Sequence, residues 1–200
     1  MRGATLISMM IYHATWDLNY IFGVDMAWYK GTFGLIWQQS ICITFIFISG
    51  FCMNLGIHHI RRGGEVFIIG LIIMAVTNIF VPDERVVFGV LTLIGSAMLI
   101  FGALIRLINK LPRILFMVLS FLCFCITRNI NAGYLNLGFT KVFLKGSLYK
   151  NLFTTYLGFP YKGFYSTDYF SLMPWIFLFA FGFFFGKFVL NDSTLDLLKK

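Results

Sequence analysis

Apolar residues of this 200-residue chain form long runs that short polar segments separate. An α-helix needs about 20 residues to cross a hydrocarbon core about 30 Å thick, and most of these runs are close to that length. The pattern predicts an all-α fold, a polytopic transmembrane helix bundle that forms one integral-membrane domain over residues 1–200. We expect about six spans, near residues 3–23, 33–56, 64–81, 86–108, 114–127 and 169–190.

One long connection, residues 128–168, separates the fifth and sixth predicted spans. Connections of this length within a compact domain are usually functional or disordered, and the many aromatic residues here argue against disorder. We expect an outer loop that covers a cavity on that face, with a re-entrant or interfacial helix over residues 135–144. The chain shows no internal repeat, which weighs against an inverted-repeat transporter.

The composition supports the same fold class. The chain is 59% hydrophobic, 19% aromatic and only 12% charged, whereas an ordinary soluble domain is about 25% charged. This excludes a soluble globular domain, a disordered chain and a small disulfide-stapled secreted module. The four cysteines (Cys42, Cys52, Cys123 and Cys125) lie inside apolar runs and match no zinc-site spacing, so we expect no metal.

The net charge of +8 mainly indicates how the chain is oriented in the membrane. In a soluble protein it would suggest nucleic acid, but here most cations lie in short gaps between apolar runs, so we expect no nucleic-acid partner. The loops after the second and fourth predicted spans are basic, which places both termini in the cytoplasm by the positive-inside rule and favours the plasma membrane. Lysines in residues 128–168 argue weakly against this, but long loops translocate largely regardless of charge.

The first predicted span contains the strongest candidate chemistry. Arg2 and His13 are eleven positions apart and therefore lie about 20° apart on the helix surface, while Asp17 is one turn beyond His13. A carboxylate beside an imidazole can orient one ring nitrogen and leave the other free to accept a proton. We therefore predict His13, Asp17 and Arg2 as catalytic residues. The alternative is a structural His–Asp pair that ties this helix to its neighbours.

Other polar and aromatic residues near the predicted span ends are candidates for substrate binding. Gln38 and Gln39 could equally serve helix packing, Arg85 could be a solvated loop charge, and Asp168 could cap a helix. The predicted substrate-binding residues are Trp16, Gln38, Gln39, Asn78, Arg85, Asp168 and Trp175.

Five short segments, taken in their order and position, suggest a family. They are residues 1–13, 16–18, 47–51, 87–91 and 168–175. Together they resemble small prokaryotic relatives of the heparan-alpha-glucosaminide N-acetyltransferase catalytic domain, which are polytopic membrane acyltransferases. The resemblance implies transfer of an acetyl or other acyl group from cytosolic acyl-CoA, with acetyl-CoA as co-substrate, to a hydroxyl or amine of a sugar or cell-envelope glycan.

The resemblance also implies roles for individual residues. His13 would be the base, Asp17 would orient it, and Arg2 would face the approach of the donor. Arg61, Arg62 and Arg106 could hold the phosphates of CoA, or could be orientation charges only.

Two further classes of function stay open. One is a proton-coupled membrane transporter that relays protons through His13 and Asp17, and the other is a non-catalytic membrane subunit. The identity of the acceptor and the formation of a homo-oligomer also stay open.

His13 and Asp17 interrupt the first apolar run, so we expect a membrane span there and no cleavable signal peptide. The abrupt start of the chain leaves room for residues upstream.

Overall fold

The structure is a computed structural model that describes residues 2–190, without the side chain of Arg2. Within this part most of the chain is helical. The α-helices are α1 (Arg2–Tyr20), α2 (Ala27–Lys30), α3 (Thr32–Met53), α4 (His59–Phe80), α5 (Val90–Ala103), α6 (Ile105–Ile108), α7 (Arg113–Thr127), α8 (Leu152–Leu157) and α9 (Leu172–Val189). Short 3₁₀ helices cover Pro82–Glu84, Ile130–Ala132 and Gly146–Leu148.

Four of the described helices are long and apolar enough to cross a membrane. They are α3, α4, α9, and α7 with its extension to Ala132. The helix α5 is apolar but has only 14 residues, and α1 has 19 residues that include His13 and Asp17. The fold is therefore an all-α membrane bundle, and the total of six spans stays a prediction.

The fourth predicted span, residues 86–108, is interrupted in the structure. The helix α5 begins only at Val90, because backbone groups just before it bond to the end of the long connection. Phe170 N–H donates to Phe88 O (2.8 Å) and Thr167 N–H donates to Arg85 O (3.1 Å). These bonds hold residues 85–89 in an irregular conformation and dock the connection against the start of α5.

The core of the bundle lies where α3, α5, α7 and α9 pack together. A Cβ atom at Gly50 of α3 would lie 2.0 Å from Phe179 O, and one at Gly182 of α9 would lie 2.1 Å from Phe47 O. The two backbones therefore touch, as the small residues of the sequence predict for membrane helices. Phe179 and Phe183 fill the space beside this contact and are almost fully buried.

The connection between α7 and α9 corrects one expectation. Residues 135–144 are not a helix: Tyr134–Asn136 (β1) pairs antiparallel with Lys141–Phe143 (β2). Gly138 turns the chain between the strands with a positive φ of 86°, which glycine adopts without steric cost. The rest of the connection is folded, as its aromatic content predicts, because the hydroxyls of Tyr149 and Tyr169 each donate to a backbone carbonyl at 2.6 Å.

Candidate functional site

A cavity of about 330 Å³ lies between α1, α3 and the residues that precede α5 and α9, and the predicted catalytic residues His13 and Asp17 line it. We call it the His13 cavity. Its polar lining includes His13, Asp17, Gln38, Glu84, Thr167 and Asp168, and its aromatic lining consists of Tyr12, Trp16, Phe45 and Phe170. The structure thus brings together four predicted site residues besides His13, namely Trp16, Asp17, Gln38 and Asp168.

Aromatic and hydroxyl side chains hold α1 beside α3. The indole Nε1 of Trp37 donates to Ser8 Oγ at 2.9 Å, and the ring of Tyr12 lies 5.3 Å from that of Trp37 and 5.1 Å from that of Tyr29. The Tyr29 hydroxyl donates to Tyr12 O (3.3 Å), and burial raises the pKa of this phenol. These contacts fix the rotation of α1 that turns His13 toward the cavity.

The predicted contact between His13 and Asp17 does not form. Among the side chains that the structure describes, neither a hydrogen bond nor an ion pair joins these two residues. The spacing of four positions places both on the same wall of the cavity, but proximity along a helix does not by itself align two short polar side chains. Asp17 can therefore act on His13 through its charge, without a direct bond.

Asp168 is both a helix cap and a cavity residue. Val90 N–H, in the first turn of α5, donates to Asp168 Oδ2 at 3.4 Å. The capped helix is thus α5 rather than α9, whose N-cap is Ser171. Burial raises the pKa of the Asp168 carboxyl, while the bond from Val90 and the positive charge of His13 lower it. His13 and Asp168 therefore interact electrostatically across the cavity.

A second cavity of about 320 Å³ adjoins the first and shares Gln38 and Asp168 with it. We call it the Arg128 chamber. Arg128 Nη2 donates to Gln39 Oε1, and the guanidinium carbon lies 4.7 Å from the centre of the Trp175 ring. Arg128 is not among the site residues predicted from the sequence. The available signal was an arginine at the end of an apolar run, a place where a charge is costly unless it has a use.

A third, smaller cavity of about 130 Å³ lies toward the opposite end of α3. It is lined by apolar side chains of α3, α4 and α5, with His59 and Arg62 at its polar end. Phe45 lines both this cavity and the His13 cavity. Of the three arginines predicted to hold the donor, only Arg62 lines the cavity.

The other predicted residues have different surroundings. Arg61 forms an exposed ion pair with Glu65 (3.0 Å), and Arg106 is exposed on α6. Asn78 donates within its own helix to Met74 O. Arg85 Nε donates to Tyr165 O (3.2 Å) and so anchors the long connection.

Neither Asn78 nor Arg85 lines the His13 cavity or the Arg128 chamber. Trp175 is buried against Phe124 and Phe170 and lines the Arg128 chamber together with Gln39. The side chain of Arg2 lies outside the described residues. Over the described part of the chain, no three His, Cys, Asp or Glu side chains gather as a metal site would require.

Comparison with known proteins gives one match that covers nearly the whole chain. The family model described as "Heparan-alpha-glucosaminide N-acetyltransferase, catalytic" matches residues 1–199. No curated protein and no solved structure matches the chain. The matched region includes the His13 cavity, the Arg128 chamber and the cavity at Arg62.

Proposed function

The chain belongs to the heparan-alpha-glucosaminide N-acetyltransferase catalytic family, and from this premise we propose that it transfers an acetyl group from acetyl-CoA to a sugar or cell-envelope glycan. The acceptor group is a hydroxyl or an amine. The observation that carries the proposal is the His13 cavity, in which an imidazole, three carboxyl groups and an amide face one space large enough for part of a sugar.

His13 is the general base of the proposed reaction. Its imidazole takes the proton of the acceptor O–H or N–H as the oxygen or nitrogen attacks the acetyl carbonyl carbon. The carbon–sulfur bond then breaks, and the CoA thiolate leaves and takes up the proton that His13 holds. A base placed in this way contributes about 10²–10⁴-fold to the rate. Asp17 and Asp168, on two sides of the cavity, favour the imidazolium that forms in this step.

The donor approaches from the other end of α3. The cavity at Arg62 is narrow and apolar with a cationic end, which suits a thin pantetheine arm with phosphates at its far end. Because Phe45 lines both this cavity and the His13 cavity, its side chain lies where acetyl donor and acceptor would meet. Arg2, Arg61 and Arg106 remain predicted contacts of the donor.

The proposed topology places donor and acceptor on opposite sides of the membrane. The helices α1 and α5 complete six spans, both termini are cytoplasmic, and the connection from residue 128 to 168 faces outward in the plasma membrane. The basic residues after α3 and α5 support this orientation, and the folded connection supports a closed outer site because its residues Thr167 and Asp168 line the His13 cavity.

The test is acetyl transfer by the full chain in sealed vesicles. Radiolabelled acetyl-CoA is supplied on one side and amino or neutral sugars on the other, with both vesicle orientations sorted. We expect label on the sugar, and we expect His13→Ala to lower the rate about 10²–10⁴-fold. Met10→Ala, on the exposed face of the same helix, is the control and should keep the rate. Label transfer that survives His13→Ala would remove the base assignment.

If no sugar is labelled while a proton gradient drives solute flux, the protein is a transporter and the proposal is wrong.

A further inference from the structure

The Arg128 chamber contains a cation that no carboxylate neutralises. Ion pairs among the described side chains occur only at Lys30–Asp25 and Arg61–Glu65. Arg128 is only half-exposed, donates one hydrogen bond to Gln39, and stacks over the Trp175 ring. A guanidinium has five N–H donors, and a single hydrogen bond, to Gln39, joins that of Arg128 to another described side chain.

The other ionisable groups of the chamber do not cancel this charge. Asp168 also lines it, but its Oδ2 accepts from Val90 N–H, and among the described side chains no ion pair joins it to Arg128. The Tyr169 hydroxyl donates to Thr155 O, and burial raises its pKa to about 12, so it is neutral at physiological pH. Arg128 is therefore a cation of the chamber that has no ion-pair partner among the described side chains.

The remaining polar lining suits a sugar. The side chains of Gln38, Gln39 and Asn131 supply amide groups, which can both donate to and accept from ring hydroxyls. Asn131 is oriented by its bond to Ser171 Oγ (3.0 Å). Because Gln38 also lines the His13 cavity, a sugar bound in the chamber can extend toward the proposed base.

We propose that the Arg128 chamber is an acceptor subsite that binds an oxyanion, a carboxylate or phosphate group, carried by the sugar substrate. Arg128 binds the anion, and Trp175 and Gln39 hold the guanidinium in place. Planar, forked donation to two oxygens is the geometry in which arginine recognises such groups. The inference rests on the proposed function in one respect: only that function makes the bound sugar the acceptor of the acetyl group.

The experiment compares ligands that share a ring and differ in charge. Equilibrium binding of glucose, glucuronate and glucose 6-phosphate is measured on the purified full chain in lipid nanodiscs. Since a hydrogen bond to a charged group contributes clearly more than a neutral one, we expect at least one of the two anions to bind about tenfold or more tightly than glucose. The comparison of glucuronate with glucose 6-phosphate shows whether the chamber prefers a carboxylate or a phosphate.

Arg128→Gln should abolish this preference and leave glucose binding within about twofold. Lys162→Gln is the matched control, because it removes one positive charge from the same connection at an exposed position; it should keep the preference. Equal binding of all three sugars to the wild type would overturn the inference. So would an Arg128→Gln variant that is less stable but still prefers the anion, since Arg128 would then be purely structural.

If the Arg128→Gln variant fails to fold, a second measurement, on the wild type, tests the inference. Inorganic phosphate should displace glucuronate or glucose 6-phosphate from the wild type but should leave glucose bound, and failure to displace either anion overturns the inference. Gln39→Leu, which frees the guanidinium, should weaken the preference severalfold.

The two proposals can fail separately. If anion-selective binding depends on Arg128 but no sugar is acetylated, the proposed function is wrong and the oxyanion site stands. If neutral and anionic sugars bind equally and are acetylated equally, the function stands and the oxyanion site is wrong.

Discussion

The helices α1 and α9 both contribute to the candidate site, but different forces hold them in the bundle. Ten of the 18 residues of α9 are buried, and its backbone touches that of α3 at Gly182. In α1, by contrast, the buried residues among the described side chains are Thr5 and Asn19. Its attachment includes side-chain hydrogen bonds from Trp37 to Ser8 and from Tyr29 to Tyr12 O, together with the ring contacts of Tyr12.

This difference in attachment gives the two walls of the candidate site different freedom to move. The wall that holds Arg128 and Trp175 is built from close packing, which tolerates little displacement. The wall that holds His13 is attached by a few directional contacts, each of modest strength. A base on such a helix can shift as an acceptor enters, whereas the proposed anion site keeps its geometry.

The strongest test of this contrast alters the packed wall. Gly182→Ala should destabilise the protein by about 1–3 kcal/mol or more, because the added Cβ would lie 2.1 Å from Phe47 O. Gly64→Ala is the control, since a Cβ there meets nothing within 4 Å. Thermal unfolding of the purified protein measures both. Equal unfolding temperatures for the two variants would contradict close packing of α3 and α9.

A smaller effect should follow from loosening the other wall. Ser8→Ala removes the acceptor of the Trp37 indole, a bond that contributes about 0.5–1.5 kcal/mol. We expect the acetyl-transfer rate to fall by up to about tenfold, because α1 loses the contact that sets the direction of His13, while the unfolding temperature changes little. The rate is measured in the vesicle assay described above.

Ser40→Ala is the control for this prediction, because the Ser40 hydroxyl bonds only to Ile36 O of its own helix. A rate that falls equally in both variants would show that the Trp37–Ser8 bond has no special role in positioning His13.

The smallest expected effect concerns Asp168, which lies where the two cavities meet. Burial raises its native pKa above the value of about 3.9 of an unfolded chain, so the native protein binds this proton more tightly. The resulting stabilisation is complete below about pH 3.9 and is lost as the pH rises through the native pKa. Asp168→Asn can still accept from Val90 N–H but cannot ionise.

The variant should therefore lack this part of the pH dependence, and its unfolding temperature should exceed that of the wild type slightly at neutral pH. Unfolding of both proteins is followed from about pH 4 to about pH 8. Parallel curves would show that Asp168 does not titrate in the folded protein within this range.

The sequence predicted the parts of the site that depend on a single helix. Helical periodicity placed His13 and Asp17 on one face, and both line one cavity. It also suggested that Asp168 caps the helix that follows it or belongs to the site; in the structure Asp168 lines the cavity and bonds to the first turn of α5 rather than to α9. Periodicity could not show whether His13 and Asp17 touch, because that depends on side-chain directions that neighbouring helices set.

Other predictions depended on segments whose partners are distant in sequence. The helix expected over residues 135–144 was wrong because Gly138 and the pairing of Tyr134 with Phe143 favour a hairpin. Arg128 was missed because its partners, Gln39 and Trp175, are 89 and 47 positions away. Arg85 was expected near the substrate, but its bond to Tyr165 O holds it on the long connection.

The sequence by itself determined the class of this protein, since 59% hydrophobic and 12% charged residues in long apolar runs can be accommodated only where lipid replaces water around the helices. The sequence also determined which helix carries the imidazole of the candidate site. Only the tertiary structure decided that the His13 cavity and the Arg128 chamber share Gln38 and Asp168. The physical reason is that hydrophobicity and periodicity act within a helix, whereas a cavity forms where side chains of several helices fail to fill the space between them.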